Sequence, residues 1–245
     1  MKIALVTGAY KGLGLEWCKQ LSNIGYTVIL TARDIEKAKE AALIMDPTLT
    51  KVIPKALEVT DEHQIRELVD WVNLTFGKLD VLINNAGINS GTRAKGDKEL
   101  AQKNLSLEIL DATEVLNMFH INAIAPVLVA KYFKGVLAKA EIPKIINIGS
   151  WLGSISIKTT GGNYSYAVSK SALNMMTRAL AFDLVKENII TVVVNPGWVQ
   201  TDMGGGKAAL TTEQSVKGLL ENVLHKITLQ DNGKFLQWDG SEHTW

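Results

Sequence analysis

The sequence predicts an α/β fold: a doubly wound parallel sheet of about seven strands with helices on both faces. Three observations carry the prediction. Short runs that are apolar throughout alternate with segments of helical length and period. Glycines and N-capping residues punctuate the junctions between them. The motifs that carry chemistry all follow predicted strands, the edge at which open α/β sheets bind ligands. A length of 245 residues without an internal repeat, low-complexity tract or linker points to one domain over residues 1–245.

The elements follow in order. Residues 2–7 are a short apolar run ending at Gly8, a buried strand, and residues 13–24 are helical, stopped by Gly25. Residues 27–31 form a second strand. Asp34 opens a charged, alanine-rich helix to about Met45, whose start (residues 34–39) reads as a solvated face. Residues 52–57 form the third strand, and Thr60 or Asp61 caps a helix that ends at Phe76 before Gly77. Residues 79–83 are the fourth strand, with Asn84-Asn85-Ala86-Gly87 as its turn. Asp111 with Glu114 has the form of a capping box before a long helix over about 112–138, in which Pro126 predicts a kink. Then come a strand at 144–148, a helix at 165–186, a strand at 190–195, a helix from Thr212 to about Ile227, and a last strand at 233–237. The polar loop 88–104 and the segment 203–209, with its glycine triplet, follow strand ends and are expected to border the site, the triplet as a mobile lid.

Composition excludes several classes. A net charge of +1 gives no broad electrostatic case for nucleic acid or an anionic membrane. No apolar run approaches the ~18 residues of a membrane helix, and the short run before Gly8 is too brief for a signal peptide. Cys18, the one cysteine, precludes a disulfide within the chain. A cytoplasmic protein is expected. Four scattered histidines lack metal-ligand spacing, so no metal is expected. Trp17 and Trp71 lie in helical patterns and are expected in the core. Met175, Met176 and Leu180 read as either core or dimer face.

Tyr166 and Lys170, four positions apart on a helix, share one face. A phenol loses its proton near pH ~10, and a neighbouring ammonium favours the phenolate, so the pair suits acid–base work near neutrality. Gly8, Tyr10, Lys11, Gly12 and Leu13 lie between the first strand and first helix, where glycines let the backbone approach a pyrophosphate and the helix N-terminus favours negative charge. The second strand ends at Ala32 without an acid for a ribose 2′-hydroxyl. Arg33 follows it, and with Lys11 supplies two cations for a 2′-phosphate, which favours NADP(H) over NAD(H).

These residues resemble the short-chain dehydrogenase/reductase family over essentially the whole chain. The glycine turn, the Asn84–Gly87 turn, and Asn195-Pro196-Gly197 with Val199 and Thr201 match its cofactor segments. The resemblance implies a Rossmann domain and a catalytic tetrad of Asn122, Ser150, Tyr166 and Lys170. It also implies cofactor contacts from Glu58, Val59, Asn85, Ala86, Gly87, Tyr166, Lys170, Pro196, Gly197, Val199 and Thr201. The sequence is most similar to the NADPH-preferring carbonyl reductase branch that includes C-factor-like and sniffer-like proteins. That branch implies hydride transfer between NADP(H) and a small or medium carbonyl or alcohol. Tyr166 would be the general acid/base, Lys170 would lower its pKa, and the Asn122 side chain with the backbone disturbed by Pro126 would hold a water that resupplies Lys170. A homodimer or homotetramer is implied as well.

The chain departs from the family pattern in places. Gly149-Ser150 replaces the usual Ser-Ser, and sixteen positions separate Ser150 from Tyr166, more than is common, so Ser154 competes with Ser150 on spacing. Tyr164 competes with Tyr166, but only Tyr166 has a lysine four residues on. Glu58 stands where the family often has Asp. Trp151 and Trp198 read as a substrate wall or as simple packing. A second function class, a dinucleotide-binding signalling or sensor protein on the same fold, has no need of Tyr166 with Lys170.

Overall fold

Apolar runs become strands here because both faces of the sheet are covered. The computed structural model describes residues 1–90 and 106–245. Strand β1 (Lys2–Val6) leads to helix α1 (Gly12–Asn23), and β2 (Tyr26–Ala32) to α2 (Ile35–Met45). Next come β3 (Val52–Ala56), α3 (Glu62–Phe76) and β4 (Val81–Asn84). Helices α4 (Ala112–Phe119) and α5 (Ala125–Leu137) precede β5 (Lys144–Ile148). Helix α6 (Tyr164–Leu184), β6 (Ile190–Asn195), α7 (Thr212–Gly218) and β7 (Phe235–Gln237) complete the chain. The strands pair in parallel in the order β3-β2-β1-β4-β5-β6-β7. The winding reverses between β1 and β4, which opens the crevice where such sheets bind ligands.

The pleat divides the core in two. Val28, Leu30 and Ala32 of β2 pack with Trp17, Cys18 and Leu21 of α1 on one face. Ile29 packs on the other face with Leu68 and Val72 of α3 and with Val129 and Phe133 of α5. Every residue of β2 and of β6 is buried, as continuous apolar strands require.

Four expectations need correction. The long helix does not simply kink at Pro126; it widens upstream into a π-turn over His120–Ile124, with the Ala125 N–H donating to the His120 carbonyl. Proline lacks the N–H that would bond residue 122, and its ring crowds that carbonyl, so the helix admits one more residue per turn. The helix from Thr212 is α-helical only to Gly218 and continues as a π-helix over Leu219–Leu224. Trp71 is half-buried rather than core, whereas Trp17 is fully enclosed. Finally, the helical stretch Ala112–Leu137 is long and apolar enough to cross a membrane by length and composition, contrary to the sequence expectation. Its Val129, Phe133 and Leu137 are buried in the protein core. Leu180 is core and Met175 lies on the surface. Most of the polar loop 88–104 falls outside the described residues.

Candidate functional site

The glycine turn is locked to the turn after β4. Asn85 Nδ2 donates to the carbonyls of Thr7 at 2.9 Å and Gly8 at 3.1 Å, while the Thr7 hydroxyl accepts from the N–H groups of Asn85 and Ala86, both at 3.0 Å. Gly8 sits at φ +62°, and a Cβ there would stand 2.9 Å from Ala86 Cα. A Cβ on Gly14 would stand 2.5 Å from Asn85 Nδ2 and 2.7 Å from Ala9 Cα. Gly14→Ala is therefore expected to lower stability by about 1–3 kcal/mol, read as a fall in the urea midpoint at unchanged m-value. Lys11 is the N-cap of α1, and no side chain caps that helix. Its first N–H groups face the crevice as ready anion donors.

Across the crevice, Tyr166 and Lys170 rise from the first two turns of α6, with the Lys170 ammonium 5.7 Å from the Tyr166 ring centre. The Ser150 hydroxyl lies by the Tyr166 phenol and favours its ionised form, and Ser150 Oγ accepts from Leu152 N–H at 3.2 Å. Ser154 instead pairs with Ser156 at 3.2 Å, so the geometry brings Ser150, not Ser154, to the phenol. Gly153 explains the close approach: a Cβ there would meet the Lys170 backbone at 2.8 Å. Lys170 is 5% exposed and donates to the Ile148 carbonyl at 2.7 Å.

The proton affinities of this pair run against the sequence expectation. Burial pushes the Tyr166 phenol up to about 12, with the Ser150 hydrogen bond pulling the other way. Burial lowers Lys170 to about 8. Desolvation penalises both charged forms, and with protein groups alone it outweighs the attraction between ammonium and phenolate.

Asn122 is buried in the π-turn, and both of its amide N–H groups are taken, by the Ile88 carbonyl at 2.8 Å and by Ser169 Oγ at 3.0 Å. Its Oδ1 accepts from Ile88 N–H at 2.8 Å. The side chain therefore ties the segment after β4 to α6 and has no N–H left to donate to the expected water. A buried chain supports this junction from below. Asn84 Nδ2 donates to the Pro126 carbonyl and to Asn147 Oδ1, and Asn147 Nδ2 donates to Thr177 Oγ1 on α6.

The segment after β6 closes the third side. Asn195 Oδ1 accepts from the N–H groups of Trp151 and Gly197, each at 3.2 Å, linking the ends of β5 and β6. Pro196 accepts the Ser215 hydroxyl at 2.6 Å, and buried Val199 bridges to Leu210. Thr201 Cγ2 lies 3.6 Å from where a Gly12 Cβ would be, so this segment abuts the glycine turn. The glycine triplet forms a bonded turn: Gly204 N–H donates to Thr201 Oγ1, and the Trp198 indole donates to the Gly204 carbonyl at 2.8 Å. Trp151 is 45% exposed and Trp198 54% exposed. Neither is simply packed away.

The outer end carries the cations. Arg33, its side chain 73% exposed, stands 3.8 Å from Glu58, whose other carboxylate oxygen accepts from the Thr60 hydroxyl at 3.0 Å. The Lys11 ammonium lies 2.5 Å from Asp202, and that hydrogen bond raises its pKa. Lys37, read from sequence as a solvated face, sits 5.7 Å from the Tyr10 ring and so borders the same end. Only the fold, which sets α2 beside the glycine turn, brings it there. Tyr10 and Leu13 pack partly buried against the core, and Val59 is buried beside Glu58.

Comparison with known proteins agrees with this arrangement. A family model described as short chain dehydrogenase matches residues 2–210. The chain is 36% identical over 173 residues to the C-signal protein of Myxococcus xanthus, covering 71% of this chain and 96% of that one. The NADPH-bound carbonyl reductase from chicken fatty liver superposes with a TM-score of 0.87 at 31% identity, covering all of both chains. The carbonyl reductase Sniffer of D. melanogaster gives 0.88 at 32% identity, covering 100% of this chain and 99% of that one.

Proposed function

The chain belongs to the short-chain dehydrogenase family and is an oxidoreductase of that family, and from that premise we propose that it transfers a hydride between NADP(H) and a small or medium carbonyl or alcohol. The observation that carries the reading is the grouping of Ser150, the Tyr166 phenol and a buried Lys170 at the mouth of a crevice with an uncapped helix N-terminus at its far wall. The groove residues fit a dinucleotide. Gly8 and Gly12 both hold positive φ, so the backbone of the turn is open to a pyrophosphate. When bound, the nicotinamide supplies or accepts the hydride.

The protein's own groups do the rest. Tyr166 gives its phenolic proton to the carbonyl oxygen as negative charge grows there, and Ser150 donates a hydrogen bond to the same oxygen. Lys170 holds positive charge behind the phenol. Asn122 fixes the segment after β4 against α6 and so sets the position of Lys170. Ala86, Gly87, Pro196, Gly197, Val199 and Thr201 line the groove by backbone and small side chains, and Trp151 and Trp198 give an apolar face to the substrate's body. The exposed α6 residues Val168, Met175 and Phe182, seven apart, suit association with a second copy of the chain.

Arg33 is the proposed 2′-phosphate ligand, and Glu58 and Val59 border the adenosine. Guanidinium–phosphate bonds are charge-assisted and worth about 1.5–3 kcal/mol. Arg33→Ala should thus raise the KM for NADPH by about tenfold or more, with the KM for NADH little changed. The test follows dinucleotide absorbance across a panel of aldehydes, ketones and quinones, with wild type and variant. Equal effects on both dinucleotides would remove Arg33 from the phosphate site. Tight NADPH binding with no turnover across the panel would favour the sensor reading.

A further inference from the structure

Beside the crevice, at the opposite edge of the sheet from β7, lies a second concavity that shares only Arg33 with the proposed reaction. It is a recess of about 460 Å³ between β3, the free edge strand, and the flank of α3 beside it. Gln64, Glu67, Leu68 and Trp71 line it from α3, at spacings that place them on one helix face, and Arg33 and Lys55 line it from the sheet. Its volume falls within the range of small-molecule sites.

The charges of the recess are unbalanced. The Lys55 ammonium sits over the Trp71 ring, 3.7 Å from its centre, and among the described residues no carboxylate comes within ion-pair distance of it. Burial lowers the Lys55 pKa, as expected for a cation that has lost water without gaining an anion. Glu67 faces the recess but lies 3.4 Å from His63. Arg33 is exposed and makes one ion pair among the described residues, its 3.8 Å contact with Glu58. With Arg33 paired to Glu58 and Glu67 to His63, the Lys55 ammonium over Trp71 is the charge of the recess left without a carboxylate among the described residues.

We propose that this recess binds a small aromatic monocarboxylate, its ring against the half-buried Trp71 and its carboxylate between Lys55 and Arg33. Arg33 is the one lining residue shared with the proposed 2′-phosphate contact. A ligand that recruits it withdraws it from NADPH, so occupancy weakens NADPH and spares NADH. That coupling rests on the proposed NADPH reading; the binding itself does not.

The two parts separate in the test. Binding of 2-naphthoate to the full-length protein is titrated by calorimetry without dinucleotide, with 2-naphthamide as the neutral analogue. Wild type should bind the acid at least tenfold more tightly than the amide. Lys55→Met, which keeps the aliphatic stem over Trp71, should lose tenfold or more, and Lys55→Arg should retain most of the affinity. Both variants should keep wild-type melting temperatures and NADH-dependent rates. With wild type, naphthoate should raise the KM for NADPH severalfold and leave that for NADH unchanged. No binding, equal binding of acid and amide, or undiminished binding by Lys55→Met overturns the site. Displacement of naphthoate by NADH would place it in the dinucleotide groove and overturn it equally. Binding that depends on Lys55 without any effect on NADPH would uphold the site and overturn the coupling.

Discussion

Replacing Tyr166 with Phe should lower kcat by about 10³- to 10⁴-fold and leave NADPH binding, followed by dinucleotide fluorescence, close to wild type. In the proposed reaction the phenol oxygen passes the proton to the substrate oxygen, and Ser150 would donate a hydrogen bond there without being able to replace it. The rest of the ring survives the change, so the fold should tolerate it. A variant that turns over at near-normal rate would remove Tyr166 from the reaction. The high proton affinity of the phenol adds a directional result. Held up to about 12 by burial, Tyr166 stays protonated across the physiological range. A protonated phenol is the acid that carbonyl reduction needs, whereas alcohol oxidation needs the phenolate. Bringing the phenol from about 12 to neutrality would take roughly 7 kcal/mol, more than Lys170, itself near 8, supplies in this setting. Reduction should therefore be nearly flat between pH 6 and 7 while oxidation climbs steadily with pH, in matched assays with one carbonyl–alcohol pair.

Much of this was legible in the sequence because strands buried on both faces announce themselves as unbroken apolar runs. The residues 190–195 are all buried, and nothing in their pattern suggests otherwise. Tyr166 and Lys170 were legible for a related reason: spacing on a helix fixes a shared face regardless of the rest of the fold. What the spacing does not fix is burial, and burial decides the sign of both proton affinities. The expected ammonium-assisted phenolate and the observed pair of suppressed charges have identical sequences. Long-range pairings were illegible too. Lys11 and Asp202 are 191 positions apart, and only the return of the segment after β6 onto the glycine turn brings them together. The π-turn at Asn122 lies just before Pro126, whose carbonyl accepts from Asn84, 42 positions away. Proline alone predicts a disturbance, and its form comes from tertiary contacts. Trp71 looked like core because a helical period marks a face, and that face borders a recess at the sheet edge.

Lys170→Met should do two opposite things, and their opposition is the sharper test of the site. Activity should collapse, because the positive charge behind Tyr166 is gone. Stability at pH 7 should rise. In the folded protein burial lowers the Lys170 pKa from the ordinary 10.5 to about 8. Below pH 8 both folded and unfolded chains carry the charge, and the folded one bears its full desolvation cost, of order 3 kcal/mol. Between pH 8 and 10.5 the unfolded chain binds more protons than the folded one, so wild-type stability climbs with pH and the penalty is gone above that window. Methionine removes the penalty but leaves the Ile148 carbonyl without the ammonium it accepts from at 2.7 Å, a loss of about 1–3 kcal/mol. The net gain should be about 1 kcal/mol, or roughly 2–4 °C in melting temperature, present at pH 7 and reversed above pH 10.5, where only the lost hydrogen bond remains. A variant less stable than wild type at every pH would mean that the Ile148 bond outweighs the buried charge. Lys170 would then be a structural tie to β5 first, and a reservoir of positive charge for Tyr166 only second.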